Sequence, residues 1–363
     1  MSSFNIGFVK SLVGNIFPTL RRTQKVNLAL GVFGLIHSQS GLMSKIAREF
    51  TGEKIYKHQL KRLWRFLSNP RVQPERLMEF WISFCVRKFC RQKQVVIALD
   101  WTTLPGNVQC LMLAIPHWGR AIPLLWQMLP YSEIKDSQNR IEERLVTKLI
   151  NLFPKERGKE LILVADRGFG RAGFIQFLLK KHLDFIIRVK GDVRVKPKTR
   201  NAILLRDLGK TLIANLPIWT PGVSYRDDGV VPEINLACVV ATGSDDPWFL
   251  VTNLKNCSRV IKTYQLRFDI EEWFKDLKHQ LGIADLQTKN LMRVRRMMFV
   301  AAISYSILMI IGTLANHFPK VKSRVIQKGK QVCSRIWLAL EVVRRKLLGA
   351  TFWRKVWTLG VSP

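Results

Sequence analysis

Acidic residues are scarce in this chain: 26 Asp and Glu face 59 Lys and Arg over 363 residues, a formal net charge of +33 at pH 7. Few proteins sustain such an imbalance without an anionic partner, because like charges on a folded surface repel one another. Nucleic acid leads; composition alone also admits a ribosomal or chromatin-type binder, or attraction to anionic membrane. Cysteine is sparse too. Cys85, Cys90, Cys110, Cys238, Cys257 and Cys333 are scattered among apolar neighbours and, apart from a strained reading of Cys85 and Cys90, show no zinc-ligand spacing with histidine. Buried free thiols in a reducing cytosol are expected. Met1–Lys10 lacks the basic start, apolar run and small-residue cleavage site of a secretory signal, and neither an internal repeat nor a low-complexity tract is present.

The basic residues gather at the ends: 17 Lys and Arg against 4 Asp and Glu in residues 1–95, and 15 against 1 in residues 286–363. One apolar stretch, Met297–Ala315, carries no charge and follows Arg293, Arg295 and Arg296, so its length and flank suit a membrane span. It is solitary, however, and includes Ser304, Tyr305, Ser306 and Thr313. A helix buried on all sides of a large core, with no membrane partner, is the expectation.

The chain is long enough for two or three domains. Residues 1–93 read as a helical DNA-binding domain. Ser40 caps a helix through Phe50, Thr51 and Gly52 turn, and a second helix from about Ile55 puts Leu60, Leu63, Trp64 and Leu67 on one face. That is helix-turn-helix spacing, with Lys57, His58, Lys61, Arg62 and Arg65 left on a basic face for DNA or for solvent. From Gln94, apolar runs at Val95–Leu99, Leu111–Ile115 and Ile122–Leu129 predict strands. A helix over Ser137–Phe153, a strand Leu161–Ala165, a helix Ala172–Lys181 and a strand Asp184–Val189 follow.

The order β-β-β-α-β-α-β predicts an α/β fold: a ribonuclease H-like mixed sheet core, preceded by the helical N-terminal domain and interrupted by a β-rich insertion. Core residues 94–189 and 247–315 flank the insertion 190–246, which contains Pro197, Pro217, Pro221, Pro232, Gly243 and the apolar run Ile234–Ala241. Residues 316–363 form a basic helical C-terminal region. In this topology the first and fourth strands are neighbours, so Asp100 and Asp166, each at a strand end, can share a cation. Either aspartate alone would read as a turn cap.

A long helix from Ser258 to Leu281 places Tyr264, Arg267, Glu271 and Lys278 at i, i+3, i+7 and i+14. At about 100° per residue they form one polar stripe beside the apolar sector of Leu266, Ile270, Trp273, Phe274, Leu277 and Leu281. Glu271 supplies the third carboxylate for a two-ion site, while Arg267, Lys278 and Tyr264 are placed to hold phosphates. Arg267 and Glu271 also form an ordinary surface pair at i, i+4. Glu272 points about 100° away and is the weaker acid. Thr102 and Thr103 can orient a carboxylate, and Arg167, Gly168 and Gly170 offer a cation and a tight turn.

Together these residues resemble the cut-and-paste insertion-sequence transposases, of DDE and IS-four type, marked by a Y-x2-R-x3-E-x6-K signature. The signature is complete as Tyr264, Arg267, Glu271 and Lys278. Asp100-Trp101-Thr102 matches the first aspartate motif, Asp166-Arg167-Gly168-Phe169 the second, and Trp248–Thr252 the strand before the signature helix. The resemblance covers about Val95–Leu286 and implies catalysis by Asp100, Asp166 and Glu271 with two Mg²⁺ ions, Mn²⁺ substituting. It implies nicking of transposon ends, a DNA hairpin, and insertion of the freed 3′-hydroxyls into target DNA. The partners implied are double-stranded DNA, as terminal inverted repeats and target, and a second copy in a synaptic dimer at the bacterial nucleoid in the cytoplasm. Trp248 is implied to stack on a flipped base, though an isolated Trp in a strand is as readily core. A structure-selective nuclease on the same fold, or an inactive DNA-binding descendant, are the competing readings.

Overall fold

Among the described residues five helices precede the sheet: α1 (Ile6–Ile16), α2 (Arg22–Ser38), α3 (Met43–Arg48), α4 (Tyr56–Leu67) and α5 (Pro74–Phe89). α5 begins at Pro74, whose fixed φ and missing N–H suit a first helical turn. The computed structural model describes residues 4–50, 55–134, 137–154, 158–198, 201–226, 231–240, 246–318, 321, 333–347 and 349–361. The turn expected at Thr51 and Gly52, and Gly243 of the insertion, lie outside these residues.

α3 packs against α4, but two details depart from the sequence pattern. Leu42, not Ser40, is the N-cap of α3 and gives no side-chain bond, because the buried Ser40 hydroxyl donates to Asp285 Oδ2 at 2.8 Å. The buried face of α4 is Gln59, Leu63, Phe66 and Leu67, whereas Trp64 is exposed. Its ring is covered by Arg293, the guanidinium carbon 4.3 Å from the centroid. Lys57, His58, Lys61 and Arg65 are exposed; Arg62 is half-buried and donates from Nε to Asn27 Oδ1 at 2.6 Å.

Ten strands form one mixed sheet in the order β3-β2-β1-β4-β5-β10-β9-β8-β6-β7. The first three are β1 (Gln94–Leu104), β2 (Val108–Pro116) and β3 (Ala121–Pro130), an antiparallel meander. α6 (Gln138–Leu152) leads to β4 (Glu160–Ala165), and α7 (Ala172–Lys180) to β5 (Asp184–Val189). β1, β4 and β5 run parallel. Their near-continuous apolar runs reflect burial on both faces, as helical crossovers require. β1 is longer than expected: Thr102, Thr103 and Leu104 continue its pairing with β2, so Asp100 lies inside the strand, opposite Met112.

The segment between β5 and β10 (Trp248–Thr252) widens this same sheet. It contains β6 (Arg194–Pro197), β7 (Ile203–Leu204), the short helix α8 (Leu205–Gly209), β8 (Ile218–Tyr225) and β9 (Val231–Val239), and β10 returns antiparallel to β5 with Phe249 opposite Val189. α9 (Cys257–Gln265) and α10 (Asp269–His279) then lead to α11 (Leu291–Ala315), followed by α12 (Arg335–Arg345) and α13 (Ala350–Val361).

α11 is long and apolar enough to cross a membrane, yet 83% of its most apolar stretch is buried inside the protein. Phe299 on α11 meets Phe17 at 5.2 Å and both Trp81 and Trp126 at 6.2 Å between ring centroids, so N-terminal helices and sheet share one core. Gly312 permits the approach of α12, since a methyl group there would overlap the Arg335 carbonyl. The arginines that read as a membrane flank are internal ties. Arg296, 3% exposed, donates to the carbonyls of Val72 at 2.7 Å and Leu67 at 2.8 Å; Arg293 donates to Ser68 Oγ at 2.9 Å, and Arg295 to the Met128 carbonyl at 2.8 Å. Arg296→Met keeps much of the buried stem but leaves those carbonyls unpaired. We expect a loss of about 2–4 kcal/mol, measured by chemical denaturation; an unchanged midpoint would dismiss the tie. All six cysteines are free, and Cys85, Cys90, Cys110 and Cys238 are buried.

Candidate active site

Pairing between β1 and β4 ends at Leu99 and Ala165. Asp100, within β1, and Asp166, the residue after β4, come next, so the parallel pairing leads both chain segments to the same end of the sheet. Asp166 begins a 3-10 turn, Arg167–Phe169, and accepts from the Gly168 N–H at 2.9 Å. Asp100 accepts from the Trp101 N–H at 2.8 Å. The Asp100 side chain is 19% exposed. Burial, then the charge of Asp166, pushes its carboxyl up to about 7; Glu271 adds to the rise, and the Trp101 N–H and Arg267 oppose it. Both Asp166, in the turn after β4, and Glu271, on α10, thus bear on Asp100.

The expected continuous helix is interrupted. A 3-10 turn at Leu266–Phe268 separates α9 from α10, and its tighter winding shifts the two halves in phase. Leu266, assigned to the apolar sector, is consequently 40% exposed, while Tyr264 is fully buried. Ile270, Trp273, Phe274, Leu277 and Leu281 do line the core. Arg267, in the turn, is swung inward between two acids: it meets Glu271 Oε1 at 2.6 Å and Asp100 Oδ2 at 3.8 Å.

Arg267 and Tyr264 thus face inward rather than toward solvent. The Tyr264 hydroxyl has no hydrogen-bond partner among the described residues, and burial foremost raises its pKa. Its ring meets Trp248, the half-buried first residue of β10, edge-on at 5.2 Å, and Phe268 at 6.2 Å. Trp248 lies 5.6 Å from Phe268, over which the Arg267 guanidinium carbon sits at 4.3 Å. Lys278 is half-buried in the last turn of α10.

The back of α10 is clamped by the turn between β2 and β3. Arg120 meets Asp276 Oδ2 at 2.7 Å and Glu272 Oε2 at 3.2 Å, and the buried Tyr305 hydroxyl of α11 donates to Asp276 Oδ2 at 3.0 Å. Glu272, also paired with Lys275, is engaged away from the acids. Sequence reasoning missed this clamp, because Arg120 lies far from α10 in the chain. It also missed Glu142, a fully buried carboxylate on α6 that accepts from Trp101 Nε1 at 3.0 Å and pairs with Arg171.

A cavity of about 580 Å³ opens beside the Asp166 turn, lined by Arg167, Arg188, Lys190, Arg206 and Lys210 among others. Of its cations only Arg167 was singled out from the sequence; Arg188 lies on β5, and Lys190, Arg206 and Lys210 are scattered across the insertion. Another cavity, of about 520 Å³, lies by Gln94–Val96 at the opposite end of β1 and contains none of the three acids.

The donor set suits a hard divalent cation: carboxylate oxygens, one of them made reluctant to ionise first by burial and then by neighbouring like charge. Among the described residues no three His, Cys, Asp or Glu side chains are drawn together closely enough to hold an ion; Arg267 stands between Asp100 and Glu271.

Residues 127–307 match the family described as transposase DDE domain. The matched span contains Asp166 and Glu271 and begins after Asp100. It supports a DDE transposase and so a nucleic-acid phosphoryl-transfer enzyme. No curated protein matches the chain.

Proposed function

We propose that this chain is a DDE transposase of the Y-x2-R-x3-E-x6-K insertion-sequence type, with a ribonuclease H-like core that cuts transposon ends and joins them to target DNA. The reading is supported by the end of the β1–β4 pairing at Leu99 and Ala165, next to Asp100 and Asp166, and by Arg267, which pairs with both Asp100 and Glu271. Residues 94–189 and 247–315 supply the core, 190–246 the insertion, 1–93 the DNA-binding domain and 316–363 a basic C-terminal region.

Asp100, Asp166 and Glu271 would hold two Mg²⁺ ions, or Mn²⁺ in their place. When bound, such ions activate an attacking water or 3′-hydroxyl and stabilise the leaving oxygen. The protein's own part is to present the acids on rigid elements and to supply cations to the DNA. Arg267, released from the carboxylates, would grip a phosphate in bidentate fashion, with Lys278 and Tyr264 beside it. Trp248 would stack on a base flipped out near a hairpin end. A synaptic homodimer would hold two ends together, in a cytoplasmic setting.

α4 would enter the DNA groove with Lys57, Lys61 and Arg65 outermost and Arg62 braced on Asn27. Replacing the three exposed cations by alanine should weaken binding uniformly across sequences. The slope of log affinity against log salt should become shallower by about 0.9 for each phosphate that the protein no longer neutralises, read by fluorescence anisotropy; an unaltered slope would move the DNA elsewhere. The function itself is tested with DNA flanking the reading frame, incubated in Mg²⁺ or EDTA with a target plasmid. Ion-dependent cutting followed by joining is expected. Cutting without joining would make the protein a structure-selective nuclease, and binding alone an inactive descendant.

A further inference from the structure

We infer that Glu142 is a positioning residue that sets the separation of Asp100 and Asp166, a role that rests on the reading of those aspartates as ion ligands. The β1–β4 ladder stops at Leu99 and Ala165, so no backbone bond between these strands fixes the two acids beyond that point. Glu142 spans the gap from the side. Its carboxylate, fully buried on α6, accepts from Trp101 Nε1 at 3.0 Å and from Gln138 Nε2 at 2.9 Å, and its other oxygen pairs with Arg171.

Each partner leads to one aspartate. Trp101 follows Asp100 and gives it a backbone N–H. Arg171 donates from Nη1 to the Gly168 carbonyl at 2.5 Å, and the Gly168 N–H donates to Asp166 Oδ1 at 2.9 Å. One carboxylate therefore braces both chain segments. A well-packed apolar side chain would often serve stability as well as a buried ion pair, so a charge at this position is better explained by the geometry that it imposes.

The test uses full-length Glu142→Gln, which keeps the shape and the bond from Trp101 but cannot form the ion pair. Tb³⁺ binding, followed by tryptophan-sensitised luminescence, is compared with the Mg²⁺ dependence of cleavage, DNA affinity in EDTA and thermal melting. We expect a Tb³⁺ midpoint raised at least about fivefold, cleavage at saturating Mg²⁺ lowered about tenfold or more, and DNA affinity within about twofold of wild type. Arg171→Lys, which keeps the charge and loses the planar fork, should shift both midpoints the same way. Wild-type midpoints and cleavage in folded Glu142→Gln or Arg171→Lys overturn the inference. Collapse of both folds also overturns it, by making Glu142 a packing residue. Wild-type protein that shows neither ion-dependent luminescence nor cleavage would instead sink the transposase reading, and this inference with it.

Discussion

Asp100→Ala, Asp166→Ala and Glu271→Ala should each lose Mg²⁺-dependent cleavage of the terminal repeats by roughly a thousandfold or more, equivalent to about 4 kcal/mol of barrier, while still binding DNA. The acids have no exchangeable roles: one sits within a strand, one caps a turn and one rides on a helix. A missing carboxylate therefore has no neighbour placed to replace it. Stability should not follow activity. Asp100 is held in a buried site against two like charges, so its removal should leave the melting temperature unchanged or raised, as when strain at a functional site is relieved. A gel assay for nicked and joined products checks the first expectation, calorimetry the second. Substantial cutting by any of the three would remove that residue from the site.

Arg267→Ala should have the second largest effect, and of a different kind. This guanidinium is 6% exposed and neutralises Glu271 and Asp100 together. Without it the acids remain as like charges in a partly desolvated place; because Glu271 is 42% exposed and screened by water, the cost should fall below the roughly 3–5 kcal/mol of a fully buried pair. Millimolar Mg²⁺ should recover part of that loss, because a divalent ion supplies the missing positive charge. The rise in melting temperature with Mg²⁺ should thus be larger in the variant than in wild type. Equal melting temperatures with and without the ion in Arg267→Ala would mean that the acids do not share a cation.

Much of the architecture was legible because the sheet is built from short apolar runs bounded by turn residues. Asp184–Val189 has the expected limits, and β1 exceeds its expected end only because Thr102 and Thr103 are β-branched residues that continue the ladder to β2. The helical stripe was less legible. A period of 3.6 cannot reveal a single 3-10 turn, and that turn buries Tyr264 and exposes Leu266. Glu142 escaped notice because a glutamate in an amphipathic helix reads as surface. Its partners Trp101 and Arg171 lie 41 and 29 residues away. Arg293, Arg295 and Arg296 suggested a lipid boundary for the same reason, although a buried helix was the expectation; the carbonyls and ring that they meet show why they stand there.

α11 touches both α4 and α10. Arg293 fastens it to Trp64 and Ser68 at α4, and Tyr305 fastens it to Asp276 on α10. The two attachments are twelve residues apart (293 to 305), about 18 Å along a helix that rises 1.5 Å per residue. With α4 reading a terminal repeat and α10 carrying Glu271, this rod would act as a ruler. Within one subunit the span from α4 to Glu271 would then be set by a continuous helix rather than by a loop.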